Sequence, residues 1–147
     1  MSEFNHANVE KSVFKWFSES YTDGPIDIGV ARTLNESTSD SWVDFQIPSV
    51  TQEPARENNK RCFEVQIIAR CYGKSQTNLY AALGDAGVVG ELLRNAVIPI
   101  LSFDESGTPT IGHCKLTEPQ MTNDTYLQDD ISVDVRVIAI SGYAEQS

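Results

Sequence analysis

Histidine, cysteine and clustered base are scarce in this chain, and each scarcity removes a class of function. Two residues are histidine and three are cysteine among 147. His6 and His113 fall in no HExxH spacing, and no Cys-x-x-Cys pair exists, so the usual zinc patterns are missing. His113 and Cys114 are adjacent in a stretch that alternates like a strand. Alternation sends their side chains to opposite faces, which disfavours a cysteine–histidine nucleophilic pair. There is no GxSxG elbow or GxGxxG turn, and Gly87-Val88-Val89-Gly90 lacks the lysine and the preceding strand of a phosphate loop. Asp124 with Asp129-Asp130 is the one acidic group with the chemistry for a divalent ion, and its polar setting reads first as a solvated loop. No catalytic residue, metal or cofactor is expected.

Long apolar runs are missing too. No segment approaches the roughly 18 apolar residues of a membrane span, and the opening MSEFNHANVEKS is acidic and polar where a signal peptide is apolar. Cys62 and Cys71 lie nine positions apart in one predicted strand, so their side chains leave opposite faces and cannot be bridged there. With Cys114 the count is odd, which fits reduced thiols in a cytosol-like compartment. Twenty-one acids against eleven bases give a formal charge of −10. A surface that grips DNA needs clustered Lys and Arg, and no basic run is present. Such an acidic chain is soluble, and it can also stand beside DNA and let it pass without adsorption. The length suits a single domain over residues 1–147.

The stretch from Cys62 to Asn95 organises the rest. Phe63, Val65, Ile67, Ala69 and Cys71 share one face at period two, while Glu64, Gln66, Arg70 and Tyr72 take the other. The twelve residues Arg61 to Tyr72 would extend roughly 40 Å, enough to project beyond a core of this size. Gly73 then turns the chain into a helix, with Ser75 or Thr77 as its N-cap. Helical spacing puts Leu79, Ala82, Leu83, Ala86, Val89 and Leu93 on the sheet side. Tyr80, Gly84, Gly87, Glu91 and Arg94 fall on the outer arc. Glycine costs roughly 1 kcal/mol against alanine inside a helix. Two glycines here imply either a kink near Gly84-Asp85 or a neighbouring subunit approaching a smooth patch.

Around this unit, Val9, Val13, Trp16 and Phe17 mark a first helix capped by Asn5. Ile26, Ile28 and Val30 alternate as a short strand, and Asn35 to Ser41 reads as a loop. Val43, Phe45 and Ile47 form one face of a strand that ends at Pro48. SVTQEPARENNK then joins two strong strands, so the whole predicts a hairpin whose long tip carries Glu53, Arg56, Glu57, Lys60 and Arg61. Val97 to Phe103 and Thr110 to Leu116 predict a second hairpin, and Glu118 to Asp130 a polar loop. Ile131, Val133, Val135, Val137 and Ala139 repeat the period of the Phe63 strand, and these two strands should centre the sheet. The expected class is α+β, a mixed and mainly antiparallel sheet with two helices on one face and a long protruding β-hairpin.

This order resembles the tail terminator and tail completion proteins of long-tailed bacteriophages. The residues that carry the likeness are Trp42 to Ile47, Phe63 to Ala69 followed by the Leu79 to Leu93 helix, and Pro119 with Asp129-Asp130 before Ile131 to Ile140. The resemblance implies a virion protein without a catalytic task. It forms a homo-oligomeric ring, commonly a hexamer, at the head-proximal end of the tail, stops polymerisation of the tail tube protein and receives the head-tail connector protein. DNA would pass through that ring, and no membrane is involved.

Under this reading, the tip residues Glu53, Arg56, Glu57, Lys60 and Arg61 meet the tube or a neighbour. Gly84, Gly87, Glu91 and Arg94 form the subunit interface. Another neck component, a connector or stopper, would share the same features. A small cytosolic enzyme or ligand-binding domain would instead need a concave pocket with convergent polar groups.

Overall fold

A computed structural model describes residues 3–28, 39–54, 59–74, 80–125 and 133–147. Its elements are α1 (His6–Ser20), β1 (Ile26–Ile28), β2 (Ser41–Gln52), β3 (Cys62–Lys74), α2 (Ala81–Leu93), β4 (Val97–Leu101), β5 (Thr110–Leu116), β6 (Gln120–Asn123) and β7 (Val133–Gln146). The sheet runs β1-β2-β3-β7-β5-β4, with β6 also paired to β7. Among the described residues β1–β2 is parallel and the other pairings are antiparallel. Both helices contribute to one apolar core with the inner face of this sheet. The fold is α+β, as the periodicities predict.

β3 and β7 are central neighbours, as expected, and the alternation of β3 is the one read from the sequence. Phe63, Val65, Ile67, Ala69 and Cys71 are all buried. Cys62 and Phe63, at the end nearest the connection, are as buried as Cys71. β3 therefore stays over the core along its length, and the reach of the hairpin falls to the connection from Glu53 to Arg61, of which 55–58 lie outside the described residues. Gly73 does not turn the chain. It continues β3, and a Cβ there would sit 2.8 Å from the Ala82 backbone nitrogen, so its role is to let α2 lie close on the strand. Pro48 likewise does not end its strand: β2 runs on to Gln52 after a register shift between Gln46 and Ser49, and the proline sits in that irregularity.

The phase of β7 differs from the sequence reading. Phe63 faces Ala144, Ile67 faces Ile140 and Ala69 faces Ile138, so the even-numbered residues share the β3 core face. Val133, Val135, Val137 and Ala139 take the opposite face, where Val135 and Val137 are nevertheless buried. Ile131 lies outside the described residues. β7 also extends beyond Ile140 to Gln146. A strand apolar on both faces carries no phase in its pattern.

α1 is capped by Asn5, whose side chain accepts from the Asn8 amide at 2.9 Å, as predicted. Val9, Val13 and Phe17 are buried, and Trp16 is half-buried against the core. α2 runs unbroken from Ala81 to Leu93, so the helix does not stop and restart at Gly84-Asp85. Ala82, Ala86, Val89 and Leu93 are buried as expected, but Leu83 is 40% exposed. The caps expected at Ser75 and Thr77, and Leu79, lie outside the described residues. The second hairpin forms as predicted, with Ile98 opposite Cys114.

Candidate interaction site

The charged tip residues divide. Arg56 and Glu57 lie outside the described residues. Glu53 closes the hairpin, its amide donating to the Cys62 carbonyl at 2.9 Å. Arg61 ties the base of the hairpin down. Its amide donates to Gln146 Oε1 at 3.0 Å, its Nη1 to the Phe4 carbonyl at 3.3 Å, and its carbonyl accepts from the Gln146 amide at 3.0 Å. Lys60 is exposed. Within this group, then, Lys60 has the placement of a contact residue and Arg61 that of a structural pin.

The α2 residues form a surface together. Tyr80 is 71% exposed, Leu83 40% and Val88 42%, and Gly84, Gly87 and Glu91 are exposed between them. A Cβ at Gly84 or Gly87 would meet no atom within 4 Å. Beside this arc runs a shallow groove lined by Ala86, Gly87, Gly90, Glu91, Pro119, Met121 and Ile138. Its far wall is β6, in which Met121 is 44% exposed. Arg94 is already engaged: its Nε donates to both Glu118 carboxylate oxygens at 3.2 and 3.0 Å, and Asn95 Nδ2 donates to Glu118 Oε1 at 3.1 Å. Those bonds hold the Glu118 carboxyl below the usual carboxylate range. Arg94 thus anchors the segment leading into β6. The groove beside α2 and the base of the hairpin lie at different points along β7: β6 pairs with it at Arg136–Ala139, whereas Cys62 of β3 meets Glu145. Ala139 and Glu145 are six positions apart, roughly 20 Å along β7.

β6 is the element missing from the sequence reading, which has a polar loop over Glu118 to Asp130. All four of its residues are exposed, so no one-sided pattern marks it. The nearest signal is Met121-Thr122 between polar residues, too short to count as a strand on its own.

Because their helix positions are open, Gly84→Ala and Gly87→Ala should each stabilise the isolated subunit by about 1 kcal/mol, read as a higher urea midpoint. Unchanged or lower stability would show that the glycines serve the fold itself.

A second cluster lies where α1, β2, β3 and α2 meet. Tyr21 is buried, its hydroxyl has no hydrogen-bond partner among the described residues, and burial with the nearby Asp85 charge pushes its pKa up. Burial, reinforced by Asp85, pushes the Cys71 thiol up to about 12, and burial with Cys62 nearby does the same for Cys114. Both thiols are therefore protonated and unreactive at neutral pH. His113 is exposed while Cys114 is buried beneath it on the other face. Burial raises the Asp85 carboxyl above its usual range, a hydrogen bond from Ser41 lowers it in part, and Asp23 raises it further.

A raised folded-state carboxylate favours the fold while it is protonated, and that contribution disappears as pH rises through the folded pKa. Asp85→Asn should therefore raise the melting temperature at pH 7.5 more than at pH 4. An equal gain at both would exclude a titration of Asp85. Among the described residues no group of three His, Cys, Asp or Glu could hold a metal ion, and no helix is long and apolar enough to cross a membrane.

No family model matches the chain, and no curated protein matches it. Twelve chains of solved structures do. One belongs to the virion of a native gene transfer agent (GTA) particle, with a TM-score of 0.51, 8% sequence identity, and coverage of 80% of this chain and 78% of that one. The likeness is one of fold.

Proposed function

We propose that this chain is a virion structural subunit that closes into a ring, of six copies by the terminator resemblance, at the head-proximal end of a phage-type tail. There it ends polymerisation of the tail tube protein and offers a joining surface to the head-tail connector protein. The observation that carries this reading is the fold shared with a chain of the gene transfer agent virion. Three features support it: the bare α2 arc, the exposed edge strand β6, and the charge of −10, which lets DNA pass a lumen without adsorbing. Lys60 and the rest of the connection face the tube in this arrangement, and Gly84, Gly87 and Glu91 face a neighbouring subunit. The protein does no bond-making chemistry.

Electron microscopy of the purified protein, alone and mixed with purified tail tubes, tests the proposal. Annular particles or capped tube ends are expected. Pull-down on tail tubes against DNA-filled heads gives the place: retention on tubes supports the terminator role, and retention on heads alone would assign a connector or stopper. The connection can be tested separately. Thr51 and Gln52 belong to the β2 ladder, so the replaceable segment is 54–60. A short Gly-Ser turn there should leave the melting temperature within a few degrees and abolish binding to tubes; capping by that variant would remove the tip from the interface.

A further inference from the structure

We infer that the sheet continues from one subunit to the next, the outward edge of β6 accepting the outward edge of the distal half of β2 from a second copy; this rests on the ring reading above. The inference comes from following which backbone groups face away from the molecule. In an antiparallel ladder, residues alternate between bonding the neighbour and pointing outward. The Leu116 amide donates to the Ala96 carbonyl at 2.9 Å, so Ile98 and Ile100 bond β5, and Val97, Pro99 and Leu101 point outward. That edge is blunted: Pro99 has no N–H, and the Leu101 amide donates to Ser12 Oγ at 2.8 Å.

β6 is not treated in this way. The Asp124 amide donates to the Val135 carbonyl at 2.9 Å, which fixes Thr122 and Gln120 as the residues bonding β7 and leaves Met121 and Asn123 facing outward. On the opposite side of the sheet, the Glu53 amide bonds the Cys62 carbonyl, so Thr51 and Ser49 bond β3 while Val50 and Gln52 face outward. Among the described residues β1 covers β2 at Val43–Phe45, short of Val50 and Gln52. Among the described residues each molecule therefore carries two short open edges of matching length on opposite sides of one sheet.

Two unlike edges that pair make a head-to-tail contact, the kind that propagates and closes into a ring. A strand added beside β6 lies over α2, and Gly87 there leaves the clearance its side chains require. The same main-chain mode underlies strand addition at other open sheet edges.

Proline at an outward position removes one intersubunit donor without touching a ladder bond within the subunit. Met121→Pro spoils the β6 edge and keeps the β2 edge; Gln52→Pro does the reverse. Sedimentation velocity, with and without tail tubes, should show wild type assembling and each variant alone remaining a monomer. An equimolar mixture should form dimers and nothing larger, since one competent edge survives on each partner. Gly87→Trp, on an open helix position, should also lose assembly and gives a second variant should a proline disturb folding. Assembly of either proline variant like wild type, or a mixture that stays monomeric, overturns the inference and leaves the ring reading standing. A wild type that never assembles, even on tubes, removes the ring reading and this inference with it.

Discussion

Phe17→Ala should cost the fold about 4 kcal/mol, within the roughly 3–5 kcal/mol seen when a fully buried aromatic is truncated. Phe17 is 0% exposed and occupies the seam between α1 and the sheet. Its ring stacks on Phe45 with centroids 3.9 Å apart and on Tyr21 at 5.5 Å, while Phe14 meets Phe45 edge-on at 6.0 Å. Removing it leaves a cavity bounded by strand β2 and by two rings that cannot follow without leaving their own neighbours. It also removes the ring on which the buried Tyr21 stacks. Trp16, larger but only half-buried, should cost less when cut to alanine. Urea denaturation of both variants checks the order. A greater loss at Trp16 would mean that α1 is rotated from the orientation described. Since stability is typically 5–15 kcal/mol, Phe17→Ala should also reduce the folded protein recovered from cells.

What could be read from the sequence follows from how each element is buried. β3 lies over the core on one face and carries mixed residues on the other, so Phe63 to Cys71 announce both strand and phase. β7 buries Ile138 and Ile140 inward and Val135 and Val137 outward, and the odd-numbered valines dominate the visible pattern. The period survives and the phase is lost.

Leu83 fits the helical stripe by angle, yet it lies at the rim of the buried face set by Ala82, Ala86, Val89 and Leu93 and is 40% exposed. β6 buries nothing and is held by backbone pairing to β7, so side-chain pattern cannot reveal it. Of the candidate site, the glycine arc was legible because glycine within a helix is an anomaly. The role of Arg61 was not, because its partners, Phe4 and Gln146, come from the far ends of the chain. The roles of Gly73 and Pro48 were misread for a related reason: both residues usually punctuate, and each is here placed by a tertiary approach or a bulge.

The β5–β7 seam leads to the second large effect. Gly142→Ala should destabilise the protein by about 3 kcal/mol, the upper part of the range for overpacking. A Cβ at Gly142 would overlap the Lys115 carbonyl oxygen and lie 3.0 Å from Leu116 Cα and 2.8 Å from Leu116 Cδ2. The leucine methyl can rotate away, but the two backbone atoms can move only if β5 itself shifts. β5 is held to β7 by the pairs Gly112–Gln146 through Leu116–Gly142, and Gly112 is just as confined, by the Glu145 backbone and the Phe4 ring. Relief at one end of the seam therefore presses on the other.

Glycine to alanine in an unstrained position would gain a few tenths to about 1 kcal/mol from the unfolded state, so the sign at Gly142 is opposite to that at Gly87. The pair forms an internal control: the same chemical change, one in open space and one against main chain. Urea midpoints of Gly142→Ala and Gly87→Ala should move in opposite directions, and amide exchange in β4 and β5 should accelerate in the first alone. A loss below about 1 kcal/mol at Gly142 would require a seam wider than the one described, with β5 and β4 less firmly joined to the central strands.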